Sequence, residues 1–202
     1  MAGTATHYDP TLLTNAGIFG AFWIGLAIPG AGSRISLFTD GTPDATANPS
    51  AKHLGHTTEG WEMNAKADTE EQSVDEAVPP VDTIISSLSV ALAANLAQTQ
   101  DISGTLQYSI SGFGTFSTAA GYEQITLGTP ATLVYTPCAL IFPSKADPTK
   151  FVIYNLYKSR NDSGIANQIK RKGMGNNPVA FKGYAITSRA AVDQLGNAWR
   201  QI

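Results

Sequence analysis

The stretch Leu54-Gly55-His56-Thr57-Thr58-Glu59-Gly60, continuing into Trp61-Glu62-Met63-Asn64-Ala65-Lys66-Ala67-Asp68-Thr69-Glu70-Glu71-Gln72, decides the fold of this chain. Glycine and threonine make the entry turn-rich, and an extended polar segment follows from Trp61 to Glu76. Val78-Pro79-Pro80-Val81-Asp82 is a break, because proline cannot continue a paired strand. Ser87-Leu88-Ser89-Val90-Ala91-Leu92 then alternates with period two. Leu88, Val90 and Leu92 share one face, and Ser87, Ser89 and Ala91 share the other. These features predict a strand pair over Trp61–Asp68 and Glu70–Val78, followed by a strand over Ile84–Leu92. The weak alternation of the pair predicts a face turned to water or to a lumen.

Downstream the pattern repeats. Gln124–Leu127, Ala131–Phe142, Phe151–Tyr157, Ile165–Lys170 and Val179–Ile186 read as short strands. Their separators are Gly128-Thr129-Pro130, Ala146-Asp147-Pro148, Asn161-Asp162-Ser163-Gly164 and Gly173–Pro178. Phe151-Val152-Ile153-Tyr154 is apolar on both faces, which predicts a strand covered on both sides. Ile102, Leu106 and Ile110, four apart after Asp101, predict one helix that Gly112 and Gly114 stop. Upstream, Arg34–Phe38 reads as a short strand and Asp40–Ser50 as a loop with little to pack by itself. Residues 1–30 read as an arm: Ala16–Ile28 is apolar, carries Gly17, Gly20 and Gly25, and ends at Pro29. That run is too short for a spanning helix and lacks the basic flank of a signal peptide. It is expected to pack on a neighbouring subunit. The organisation is therefore an arm at 1–30 and one β domain at 31–202.

Of the 202 residues, 43% are hydrophobic, enough for a core, and 14% are charged, well below the roughly one quarter usual in soluble domains. A lightly charged surface suits a protein that hides much of itself in subunit contacts. The net charge of −3 gives no global drive towards nucleic acid. Its distribution is uneven. From Glu59 to Asp82 eight carboxylates face Lys66 alone, a net of −7; from Lys145 onward ten bases face three aspartates, a net of +7. Opposite blocks of equal size can attract across a subunit contact, or form two solvated faces. Cys138 is the single cysteine, so no intrachain disulfide can form.

Catalytic signatures are missing or generic. The sequence has no Gly-x-Ser-x-Gly, no phosphate loop and no His-Glu-x-x-His, and Gly112-x-Gly114 lacks the third glycine of a dinucleotide site. His53, His56 and Glu59 are chemically a zinc set, yet their spacing converges only on a helix, and Gly55 and Gly60 argue against one. Lys170-Arg171-Lys172 could hold phosphate but has no adjacent aromatic platform. No catalytic residue, metal or cofactor is assigned.

The order of these elements resembles the tail tube (major tail) protein of long-tailed bacteriophages. The features that carry the likeness are Gly55-x-Thr57-x-x-Gly60, the strand pair, the Pro80-Val81 turn and the alternating strand. At the other end Lys170-Arg171-Lys172-Gly173-Met174 and Pro178-Val179-Ala180-Phe181 look like that family's closing strand pair. The resemblance implies a mainly β fold with one helix (α+β), a two-sheet sandwich or barrel whose inner sheets join across subunits. It implies hexameric rings stacked into a conduit for genome ejection, self-association, tape measure and tail terminator partners, location in the virion, and DNA passing without specific binding. Glu62, Asp68, Glu70, Glu71, Asp75 and Glu76 become candidate lumen or interface acids, and Lys170, Arg171 and Lys172 candidate interface bases. A capsid decoration protein and a small β-sandwich binding module are the alternatives.

Overall fold

The computed structural model describes residues 21–55, 57–72, 82–96, 114–119, 121–128, 133–144, 147, 149–163 and 177–202. Its strands are β1 (Ala21–Ile24), β2 (Lys52–His53), β3 (Thr57–Gln72), β4 (Asp82–Leu96), β5 (Gly114–Ala119), β6 (Tyr122–Leu127), β7 (Thr136–Pro143), β8 (Phe151–Asn161), β9 (Asn177–Gly183) and β10 (Gly196–Arg200). The protein is mainly β. Among the described residues eight strands form one open antiparallel sheet in the order β2-β1-β7-β8-β9-β4-β3, with β10 also on β8; β5 and β6 form a separate hairpin.

The two separate sheets expected from the sequence are one continuous sheet that branches at β8. The edge of β8 away from β7 pairs with β10 over Val152–Leu156 and with β9 over Ser159–Asn161. Opposite the branch, the β7 register slips between Thr136 and Cys138. A bulge of this kind sharpens twist and lets a strand turn a corner. The sheet thereby curls until β1 faces β3 and β9 across the core: Phe22 of β1 stacks on Trp61 of β3 at 3.9 Å and lies 5.1 Å from Phe181 of β9. The curl encloses Phe22, Ile24, Leu92, Leu96, Cys138, Leu140, Leu156, Val179 and Phe181.

The reverse face of β1, β7 and β8 is also covered. Ala139, Ile141, Phe151 and Ile153 lie under Leu26, Ile35, Leu37 and Trp199. This explains why Phe151–Tyr154 reads apolar on both sides. The covering segment is held by its own polar groups. Buried Asn48 accepts from the Ala27 amide and donates to the Ser36 and Asp44 carbonyls. Asp40 accepts from the amide and hydroxyl of Thr42. At Gly41, where φ is +83°, any Cβ would run into the Phe151 ring. The loop Asp40–Ser50, read as having little to pack, is thus an ordered lid. Arg34–Phe38 contributes one bridge, Leu37 to Pro43, rather than a strand.

Two further expectations are corrected. The arm boundary at residue 30 falls inside the body, because residues 21–24 form β1 and Phe22 and Ile24 are fully buried. Glycine spacing suggested flexibility there, whereas the alternate apolar side chains are a core strand. Of the strand pair expected over Trp61–Asp68 and Glu70–Val78, residues 61–72 run in one 16-residue strand, β3, paired with β4, and residues 73–78 lie outside the described residues. The expected helix after Asp101 and the strand Ile165–Lys170 lie outside the described residues. Among the described residues no helix is long and apolar enough to cross a membrane.

Candidate assembly surface

β9 pairs with β4 only from Ala91 to Leu96. Beyond Ala91, β3 and β4 continue together to the pair Gln72–Asp82, with no other strand beside them among the described residues. They form a two-stranded arm that leaves the body for eight residues on β3, about 27 Å at strand rise. Its faces follow from the register. Met63, Ala65, Ala67 and Thr69 stand with Leu92, Val90, Leu88 and Ile85 on the core-side face; Glu62, Asn64, Lys66, Asp68 and Glu70 stand with Ala93, Ala91, Ser89, Ser87 and Ile84 on the other.

A bulge carries the apolar side chains of the first face as far as Ile85, beyond which Glu71 and Thr83 end it. Asp68 pairs with Ser87 and Thr69 with Ile85, so Ser86 is the extra residue. Without it Ile85 would join Ser87 on the polar face. The bulge is fastened to Asp68: the Ser86 hydroxyl donates to its carbonyl at 3.0 Å and the Ser87 hydroxyl to its carboxylate at 2.9 Å. Lys66 adds an ion pair to that carboxylate at 2.6 Å. Together Lys66 and Ser87 hold the Asp68 carboxyl below its ordinary range.

Among the described residues the apolar face is uncovered. Ile85 is 68% exposed, Leu88 57% and Met63 42%. At the root of the arm this face opens into a groove of about 250 Å³ lined by Met63, Leu88, Val90, Tyr154, Val192 and Leu195. Val192, on a 3₁₀ turn at Ala191–Asp193, is almost fully exposed. The far wall of the groove is tied down by Tyr157. Its hydroxyl donates to Asp193 at 2.6 Å, and Arg189 lies 4.1 Å over its ring while pairing with Asp193. Burial, and then the Asp193 carboxylate, push the Tyr157 hydroxyl up to about 12.

Of the acids expected at a lumen or interface, Glu62, Asp68 and Glu70 share the polar face and Glu71 is on the apolar one. Asp75 and Glu76 lie outside the described residues, as do Lys170, Arg171 and Lys172. His53 is on β2 with its ring 5.2 Å from Trp23; His56 lies outside the described residues. Among the described residues no three His, Cys, Asp or Glu side chains cluster as a metal site. Cys138 is buried against Leu156 and accepts from the Ser159 hydroxyl, and burial pushes its thiol up to about 12. The apolar face of the arm was legible in Leu88, Val90 and Leu92. Its uncovered state was not, because the alternation of a core strand and of an interface strand is the same.

Compared with known proteins, the chain matches no family model and no curated sequence.

Proposed function

We propose that this chain is a self-assembling structural subunit of the bacteriophage tail tube type, forming stacked hexameric rings that conduct the genome during ejection. The observation that carries the reading is the β3–β4 arm with its uncovered apolar face. A two-stranded ribbon is marginal alone in water, and stability comes when its apolar face is covered or its edge is paired. Full burial of a side chain such as Leu88 or Ile85 contributes about 1.5–3 kcal/mol. β3 is also a 16-residue edge strand, and such edges invite pairing with another chain. The arm and whatever surface receives it are different parts of one chain. Such head-to-tail contacts close into rings or run on as filaments. Joining inner sheets around a ring would remove the free edges. The order of sequence elements supports the tube type among assemblies of this kind, and a net acidic subunit suits a wall past which phosphates must slide. On this reading the protein is a virion component without catalysis, and its other partners are a tape measure protein and a tail terminator.

The test is electron microscopy in negative stain, with sedimentation, on the purified chain over a range of concentrations. Rings and stacked tubes with an open channel are expected. A monomer at every concentration, or a small closed oligomer that never stacks, overturns the tube reading.

A further inference from the structure

The polar face of the arm runs without interruption onto the body. Asn64 pairs with Ala91, Ala91 with Lys182, and Lys182 with Arg160, so their side chains share one surface. At the body end that surface carries a cation–tyrosine platform. Tyr135 and Tyr184 meet edge to face at 5.0 Å. The Lys158 ammonium lies 4.5 Å above the Tyr135 ring, and the Arg160 guanidinium lies 5.9 Å from Tyr135 and 5.5 Å from Tyr184. Asp162 sets the geometry: it takes two hydrogen bonds from Arg160, at 2.8 and 2.6 Å, and one from the Tyr184 hydroxyl at 2.7 Å. Asp162 largely neutralises Arg160, which leaves Lys158 and the exposed Lys182 as the charges on offer.

At the arm end the same face carries Asp68, Glu70 and Asp82 around Ile84, which is 42% exposed. Lys66 occupies Asp68, so Glu70 and Asp82 flank the isoleucine as the dominant charge. One end of the surface thus offers carboxylates around an aliphatic side chain, and the other offers ammonium groups around two aromatic rings. They cannot neutralise each other within one chain. Six residues of extended strand, about 20 Å, separate Asn64 from Glu70, well beyond the screening length of about 8 Å at physiological salt.

We propose that the platform of Tyr135, Lys158, Arg160, Lys182 and Tyr184 is the receptor for the acidic arm tip of a second copy, with Glu70 and Asp82 beside Lys158 and Lys182 and Ile84 against the tyrosine rings. The proposal rests on the self-assembly reading and supplies one of its contacts. Complementary charge sets register and encounter rate, and the aliphatic–aromatic contact adds desolvated area. The contact is head-to-tail, since donor and receptor are different surfaces.

Two charge-reversed full-length chains test it: K158E/K182E on the platform and E70K/D82K on the arm. All four positions are away from the buried core, and circular dichroism melting checks that both variants fold. At about 50 mM salt each variant alone is expected to need at least roughly tenfold more protein to assemble than the parent chain. Mixed in equal amounts the two are expected to co-assemble, because each arm then finds a platform of opposite sign. A single chain carrying all four changes is expected to assemble as well, and high salt is expected to shrink every difference. Parent and reversed chains that assemble at the same concentration overturn the contact while leaving self-assembly standing. A parent chain that never assembles overturns both. A labelled single-stranded oligonucleotide that binds the parent but not K158E/K182E, when that variant assembles normally, assigns the platform to nucleic acid and overturns the proposal.

Discussion

Individual residues set the local limits of the fold, and three of them can be probed directly. Cys138 is fully buried with its thiol pushed up to about 12, so it stays protonated at pH 8 and is shielded from reagents. Native protein is expected to resist a thiol reagent that labels it at once in denaturant; labelling of folded protein at the unfolded rate contradicts that burial. Gly41 combines a positive φ with a neighbour in the space of a Cβ, so Gly41→Ala should cost about 1–3 kcal/mol, read as a lower urea midpoint. Asp193 sits below the ordinary carboxylate range because the Tyr157 hydroxyl donates to it and Arg189 pairs with it. A carboxyl lowered on folding stabilises above its unfolded pKa, and that contribution fades as pH falls through the folded value. Asp193→Asn should therefore weaken the fold at pH 7 and converge with the parent in acid. Equal gaps in the urea midpoint at pH 7 and at pH 2 would show that the Asp193 charge adds nothing to its contacts with Tyr157 and Arg189.

At the scale of elements, the arm separates folding from assembly. Leu88 faces solvent beyond the last β4–β9 pair, so Leu88→Lys takes nothing from the enclosed core. Its melting temperature should stay within a few degrees of the parent, since surface changes usually fall within about 0.5 kcal/mol. Assembly, by contrast, should fail, as seen by sedimentation. Leu92→Lys, four residues nearer the body and fully buried, should unfold the monomer instead. If both changes spared assembly, the apolar face of the arm would have no partner. The Ser86 bulge belongs to this scale too. It transfers Ile85 to the Leu88 face, a consequence no single residue of β4 announces.

For the whole molecule, the decisive fact is where the body begins. β1 lies between β2 and β7, and Phe22 touches both Trp61 and Phe181. Deleting residues 1–30 removes a central strand whose Phe22 and Ile24 are fully buried. Losing Phe22 alone should cost about 3–5 kcal/mol, a large part of the 5–15 kcal/mol that holds a typical domain. A 1–30 deletion with a cooperative melt near that of the parent would show that β1 is dispensable.

The local pattern of the chain specified the mainly β character, the alternation of β4, the double-sided burial of β8 at Phe151–Tyr154 and the charge blocks. Each of these is a local pattern with its own period. Leu88, Val90 and Leu92 declare a face wherever the strand goes, and Phe151–Tyr154 declares cover on both sides. Long-range packing was needed to place residues 21–24 in the core rather than an arm, to make Trp61–Gln72 one strand, and to bring Tyr135, Lys158, Arg160, Lys182 and Tyr184 onto one surface. Those outcomes depend on register and on the branch at β8, which bring together residues as far apart in sequence as Phe22 and Phe181. Pairing of that range is settled by the enclosed core as a whole, through contacts such as Phe22 on Trp61, and no window of sequence contains it.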